Sequence, residues 1–99
     1  MGEYMFKKKH YYSIHSNTIV HEGVKKYYPV GHAFEALTKV LMNSNTNIEL
    51  SIVTRYVAYD DNMSICLKGK TREVESLMNS FYSKFHKEYS ICKETSWSV

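Results

Sequence analysis

The sequence lacks the features that mark membrane-spanning, disulfide-stapled and metal-binding proteins. No apolar run among its 99 residues approaches the ~20 residues of a membrane helix, so we expect neither a targeting segment nor membrane association. Its two cysteines, Cys66 and Cys92, are too few for a disulfide framework, and we expect free thiols in a reducing, cytoplasmic compartment. The five histidines have no helical pair spacing, and Cys-x-x-Cys and His-Glu-x-x-His motifs are absent, so we expect no metal and no cofactor.

Charge and composition are those of an ordinary globular domain. Hydrophobic residues make up 43% and charged residues 23% of the chain, which excludes both a disordered chain and a fibre. The net charge of +3 is milder than that of a dedicated nucleic-acid binder. The nine tyrosines are unusual, because tyrosine suits surfaces that a partner will cover. We predict one domain over residues 1–99, with a basic lead-in over 1–9 that could be mobile.

Hydrophobic periodicity predicts the secondary structure of the C-terminal half. Apolar residues alternate with polar ones over 48–59, which is typical of a half-buried strand. Asp and Asn at 60–62 predict a tight turn, and a second strand follows over 63–68. An apolar stripe predicts a helix over 72–86, and strand-forming residues follow over 89–93.

The sequence pattern of the N-terminal half fits more than one arrangement of strands. Strand-forming residues at 10–15 and 24–30 flank turn-forming ones, which fits either a hairpin or one long, bulged strand. Either arrangement brings a strand to a helix predicted over 32–42, with Gly31 as its N-cap. The polar run at 43–47 ends that helix.

The resulting order, β-α-β-β-α-β, predicts an α+β fold of the ferredoxin-like type. This is a two-layer sandwich with two helices on one face of an antiparallel sheet, here with an extra N-terminal strand or hairpin arm. The predicted core comprises Phe34, Leu37, Leu41, Ile48, Leu50, Ile52, Met63, Ile65, Leu67, Val74, Leu77, Phe81 and Phe85.

The other sheet face would be half apolar, and it predicts an interaction surface formed by Val53, Arg55, Val57 and Tyr59. Such a surface is uncommon on a monomer, and two-fold pairing of identical faces is the commonest way to cover it, so we expect a homodimer. The alternative is that the N-terminal arm, over residues 11–20, covers the face or extends the sheet.

Three segments resemble the layout of acylphosphatases: residues 30–34, the hairpin at 57–62 and the step from Lys68 to Gly69 into the second helix. The resemblance implies the same fold. The family's catalytic arginine and asparagine have no counterpart, because Glu35 follows Phe34 and the strand offers only Val, Ala and Tyr. The resemblance therefore implies the fold and no activity.

Other candidate chemistry is sparse. Gly69-Lys70-Thr71 stands where a phosphate-binding loop would end, but Ser64 occupies the position of the required first glycine, so Thr71 is predicted to cap the helix. Asp60 and Asp61 are most simply turn formers. If the chain is an enzyme, its active site would be an acid pair or a hydroxyl-group site whose residues come together only in the folded structure.

We therefore expect a non-enzymatic binding protein that self-associates and engages a partner macromolecule. The richness in Asn, Lys, Tyr and Ser is typical of AT-rich genomes, and the size would suit a small viral or mobile-element accessory protein.

The alternative function is binding of single-stranded nucleic acid. Basic residues stand beside aromatic ones in the N-terminal third, a pattern that can combine phosphate contacts with base stacking. The residues concerned are Lys7, Lys8, Lys9, Tyr11, Lys25, Lys26 and Tyr27. RNA-recognition domains of this fold carry aromatic residues on the third strand, which has none here. The competing interpretation is that the lysines solvate a sheet edge and the tyrosines pack.

Overall fold

The computed structural model describes residues 7–53 and 62–94, and over these ranges the chain is an α+β protein, as predicted. Its elements in chain order are β1 (Lys7–Ser16), β2 (Thr18–His21), β3 (Val24–Tyr27), α1 (Val30–Met42), β4 (Glu49–Ile52), β5 (Asn62–Lys70), α2 (Thr71–Phe85) and β6 (Tyr89–Glu94). No helix in the described ranges combines the length and apolar character needed to cross a membrane.

Strand β1 lies at the centre of a four-stranded antiparallel sheet with the order β4-β5-β1-β6. It pairs with β5 from Lys7 to His15 and with β6 from Tyr11 to Ser16. Residues 7–9 of the expected basic lead-in belong to this central strand, and residues 1–6 lie outside the described ranges. Their backbone pairs with β5 because residues 7–9 continue directly into the strand-forming residues His10 and Tyr11.

The segment between β1 and α1 is a separate hairpin. Strands β2 and β3 pair with each other in a two-stranded sheet, and their contacts are mainly mutual. The turn between them holds Glu22 and Gly23 at φ of 52° and 77°, the positive values that a tight two-residue turn requires. The N-terminal third thus contains both a long strand and a hairpin arm. The arm follows the first sheet strand, whereas we predicted it ahead of the strand that leads into α1.

The core contains side chains from both helices and from one face of the sheet. Six side chains are almost fully enclosed: Ile14, Val30, Leu37, Ile65, Leu67 and Val74. Most of the predicted core is confirmed as buried or packed against these residues, but Ile52 is 47% exposed because it ends the edge strand β4. Tyr12, Ile14 and Tyr89 were missed, since they come from strands whose position in the sheet was not predicted.

Both predicted helix caps are wrong. Helix α1 begins at Val30 with Pro29 at its N-cap position, so Gly31 lies inside the helix. Thr71 is the first residue of α2 and caps nothing; its hydroxyl lies 3.0 Å from Nε2 of His10 instead. Nδ1 of His10 lies 3.3 Å from the Leu67 carbonyl oxygen. This buried histidine therefore ties the start of α2 to β1 and β5.

The packing of α2 predicts where a substitution will matter. Phe81 is 3% exposed, with its ring centroid 4.7 Å from that of Phe85, so Phe81→Ala should destabilise the protein by about 3–5 kcal/mol. Ser83→Ala, on the exposed side of the same helix, should change the free energy of unfolding by less than about 0.5 kcal/mol. Urea denaturation followed by circular dichroism measures both, and equal losses would show that the core lies elsewhere.

Candidate nucleic-acid interface

The face of the sheet that points away from the helices is here called the open face. Side chains alternate between the two faces of a strand, and residues directly opposite each other across a ladder share a face. The open face therefore carries Glu49 and Ser51 from β4, Asn62, Ser64, Cys66, Lys68 and Lys70 from β5, Lys7, Lys9, Tyr11, Ser13 and His15 from β1, and Ser90, Cys92 and Glu94 from β6.

Four lysines meet at one end of this face and form the lysine cluster: Lys7, Lys9, Lys68 and Lys70. The register places Lys7 directly opposite Lys70 and Lys9 directly opposite Lys68. Opposite side chains have Cβ atoms about 4.5–5.5 Å apart, and like charges in that relation destabilise a sheet. The two pairs lie two residues apart along the strands, or about 7 Å. The register therefore concentrates positive charge at one end of the sheet, where the repulsion lowers the stability of the sheet.

The acidic residue nearest in register does not neutralise the lysine cluster. Glu49 lies opposite Lys68 on β4, yet neither Lys9 nor Lys68 forms an ion pair within the part of the chain that the structure describes. Both lysine side chains are exposed. Lys9 and Lys68 are therefore exposed positive charges at this end of the sheet.

Tyr11 is the next residue along β1 on the open face. It is half-buried and lies directly opposite Cys66 on one side and Glu94 on the other. Cys66 is only 7% exposed, so its thiol is covered although it lies on the face turned away from the helices. An aromatic ring next to a row of cations can combine base stacking with phosphate contacts.

The structure brings together some of the residues that the sequence singled out for nucleic-acid binding and separates others. Lys7, Lys9 and Tyr11 share the open face, whereas Lys8 lies on the opposite side of β1, facing Gly69 in the register. Lys25, Lys26 and Tyr27 are exposed on the hairpin arm, in a different sheet.

Lys68 and Lys70 complete the lysine cluster and were missed from the sequence. The predicted strand ended at Lys68, whereas β5 continues to Lys70. Extending the alternation by two residues would have put both lysines on one face. Their pairing with Lys7 and Lys9, however, depends on a register between strands some sixty residues apart along the chain.

Little of the predicted interaction surface falls within the described residues. Val53 is half-buried, and its backbone N–H donates to the Ser64 carbonyl oxygen over 2.8 Å. Arg55, Val57 and Tyr59, like the turn at 60–61, lie outside the described residues. The described part of the open face is mainly polar.

A cleft of about 430 Å³ between α2 and β6 is one alternative site. Its two charged side chains are paired with each other, because Nζ of Lys93 donates to Oε2 of Glu75 over 3.1 Å. Burial raises the pKa of the Tyr12 hydroxyl at its floor, with Lys93 opposing and Glu75 adding to the shift. The ion pair leaves the cleft without a spare charge for binding an ion. No group of three or more His, Cys, Asp or Glu side chains in the described ranges is placed to hold a metal.

The lysine pairs predict a gain of stability on charge reversal. Lys9→Glu would place opposite charges across β1 and β5 and should stabilise the fold by about 0.2–1 kcal/mol. Lys25→Glu makes the same change in charge on the hairpin arm, opposite Val20, and should have a smaller effect. Urea denaturation at low salt compares them. A loss of stability in Lys9→Glu relative to Lys25→Glu would show that the lysines do not repel each other.

No protein-family model matches this chain, and neither a curated protein sequence nor a solved structure matches it. The side chains of the protein itself therefore have to indicate its function. Among the described surfaces, the open face joins a concentrated charge to an adjacent aromatic ring, and that combination is suited to a nucleic acid.

Proposed function

We propose that this chain is a non-enzymatic binding protein whose partner macromolecule is a single-stranded nucleic acid, bound across the open face. The observation that carries the proposal is the exposed pair of directly opposed lysines, Lys9 and Lys68. A polyanion lying over Lys9 and Lys68 would reduce the repulsion between their charges.

Tyr11 favours a single strand over a duplex. Its ring lies on a sheet surface beside the lysine cluster, and a base can stack on such a ring only when it is unpaired. Phosphates over the lysines and a base over Tyr11 would use neighbouring positions of one strand.

We also propose that the arrangement is ferredoxin-like. Without the hairpin arm, the chain order β1-α1-β4-β5-α2-β6 is the expected β-α-β-β-α-β succession. The first and third sheet strands, β1 and β5, are the central ones, and the core joins both helices to one sheet face. This arrangement supports the proposed function because both helices pack on the face of the sheet opposite to the one that carries Lys9 and Lys68.

A reducing, intracellular location is proposed from the cysteines. Cys66 on β5 and Cys92 on β6 are separated by β1, which puts their strands about 9–10 Å apart. A disulfide needs Cα atoms within about 7 Å of each other, so these thiols cannot pair without moving the sheet.

The proposed function predicts salt-dependent binding. A fluorescein-labelled single-stranded oligonucleotide should bind at low salt, as measured by anisotropy, and its affinity should fall linearly on a log–log plot against salt. Replacing both Lys9 and Lys68 by Gln should weaken binding and reduce the slope by about 1.4, since each phosphate contact contributes about 0.7 for single strands.

The control removes the same charge from the hairpin arm. Lys25→Gln with Lys26→Gln should leave the slope nearly unchanged, because these residues lie in the other sheet. Equal losses in the two double variants would mean that net charge alone drives binding. Absence of binding by the wild-type protein at low ionic strength would reject the function itself.

A homodimer is a second candidate, and the hairpin arm favours it. Val20 and Tyr27 are 61% and 48% exposed and share one face of a two-stranded hairpin that contacts mainly itself. Such a hairpin is marginally stable in water unless something packs against it. A second copy of the arm would cover these side chains with one patch serving both protomers.

Light scattering tests the dimer. At high micromolar concentration the wild-type mass should be twice the 11.6 kDa of one chain, and Val20→Lys should lower it toward 11.6 kDa. Met42→Lys, at an exposed position of α1, is the matched control and should keep the wild-type mass. A wild-type mass of 11.6 kDa would reject the homodimer.

A further inference from the structure

We propose that the outer edge of β6 binds an extended peptide segment of a partner protein, and that the cleft between α2 and β6 takes a glutamine side chain from that segment. Peptides that add a strand to a sheet gain affinity from main-chain hydrogen bonds and specificity from pockets for alternate side chains. The proposal does not depend on nucleic-acid binding, because the lysine cluster lies on β1 and β5 and has no member on β6.

The register shows which main-chain groups of β6 point outward. The Asn17 N–H donates to the Glu88 carbonyl oxygen over 2.9 Å, and these two residues continue the β1–β6 register. Hydrogen-bonded pairs alternate along an antiparallel ladder, so every second residue counted from Glu88 turns its main-chain groups toward β1. The main-chain groups of Ile91 and Lys93 therefore point away from the sheet. No strand of the described ranges pairs with them, since β6 is the last strand in the sheet order.

The cleft of about 430 Å³ lies on the helix side of this edge. Ile91 and Lys93 line it from β6, and Met78 and Asn79 line it from α2. Residues directly opposite each other across a ladder share a face of the sheet. In a strand added to β6, the residues opposite Ile91 and Lys93 would therefore both direct their side chains into the cleft.

The Tyr12 hydroxyl at the floor of the cleft has no hydrogen-bond partner. Tyr12 is 6% exposed, and its hydroxyl bonds with none of the residues that the structure describes. Buried tyrosine hydroxyls usually find such a partner. Burial raises the pKa of this hydroxyl, so the group is protonated at neutral pH and can both donate and accept. A ligand in the cleft would supply the partner that the fold does not.

The cleft fits a neutral side chain with an amide at its tip. Its charges are already paired, because Nζ of Lys93 donates to Oε2 of Glu75, and a further charge would compete with that ion pair. An amide carries donors and an acceptor, which suits the Tyr12 hydroxyl and the exposed Asn79 amide. A strand added to β6 would lie about 9–10 Å from β1, so glutamine is a better fit than the shorter asparagine.

Cys92 allows the docking to be tested with peptides of known sequence. The main-chain groups of Cys92 face β1, so a residue opposite it on an added strand would form a non-hydrogen-bonded pair with it, with Cα atoms about 4.5 Å apart. That separation permits a disulfide. Cys92 is exposed whereas Cys66 is only 7% exposed, so a peptide thiol will react at Cys92.

The probe is an acetylated and amidated pentapeptide of sequence Thr-Gln-Cys-Gln-Thr, tethered to the full chain in a buffer of 2-mercaptoethanol and its disulfide. The comparison peptide has methionine in place of both glutamines, which keeps the length and removes the amides. Mass spectrometry measures the 2-mercaptoethanol concentration that releases half of each peptide. The glutamine peptide should withstand about tenfold more reductant, the ratio that one hydrogen bond of about 1.4 kcal/mol gives.

Two tyrosine variants test the role of the cleft. Tyr12→Phe keeps the buried ring and removes the hydroxyl, so it should bring the ratio of the two peptides close to one. Tyr28→Phe removes a hydroxyl from a ring that lies beside Tyr89, outside the cleft, and should keep the ratio. Circular dichroism and urea denaturation show that each variant is folded. Asn79→Ala, at an exposed position of α2, should also lower the ratio without altering the core.

N-methylated peptides test the strand addition itself. Methylation of the two glutamine nitrogens removes the donors that would face Ile91 and Lys93, and it should weaken the tether about tenfold or more. Methylation of the cysteine nitrogen, which would point away from β6, should have little effect. This pair keeps the side chains of the probe unchanged.

The outcomes separate this proposal from the nucleic-acid function. Equal release of the glutamine and methionine peptides, or a ratio that Tyr12→Phe retains, would reject the amide site. Equal effects of methylation at glutamine and at cysteine would reject strand addition to β6. Oligonucleotide binding by Tyr12→Phe should match the wild type, because Tyr12 lies on the helix side of the sheet.

Discussion

The antiparallel pairing of β1 with β5 is the constraint on which the rest of the structure depends. It places one central strand between two layers of different chemistry, with His10, Tyr12 and Ile14 toward the helices and Lys9 and Tyr11 toward solvent. A slip of one residue would exchange these sets and put charge into the core. The burial of Ile14 against Ile65 and Leu67 therefore holds the register, and the register in turn creates the lysine pairs.

The open face follows a different rule from the core. In the core, volume and apolar character agree with local sequence preference, as the enclosed residues of both helices show. On the open face, two pairs of lysines oppose each other although a single acidic substitution would relieve the repulsion. Departures of this kind tend to occur where a protein meets its ligand, since stability is there exchanged for binding.

The hairpin arm and the open face are two separate surfaces with separate physical characters. The open face is a polar sheet surface held by four strands, and its side chains are placed by the ladder. The arm has two strands, exposed valines and lysines, and little support from the rest of the described chain. The nucleic-acid and dimer proposals use different surfaces, so each can hold or fail without the other.

The sequence by itself determined the local elements with fair accuracy. The apolar stripe of Val74, Met78 and Phe81 predicted α2 to within a residue at each end, and α1 began two residues earlier than expected. These elements depend on periodicity along a short segment, where neighbours in the chain are also neighbours in space. For the same reason Lys7, Lys9 and Tyr11 could be chosen as candidates before the fold was known.

Only the tertiary structure decided which strands adjoin and in what register. In the tertiary structure the hairpin arm follows β1, Lys8 lies on the other face of the sheet, and Lys68 and Lys70 belong to the lysine cluster. It also brought Glu94 and Ser13 beside Tyr11, from strands at opposite ends of the chain. The packing of the whole core determines which residues become cross-strand neighbours. The alternation within a strand does not indicate which strand it will pair with.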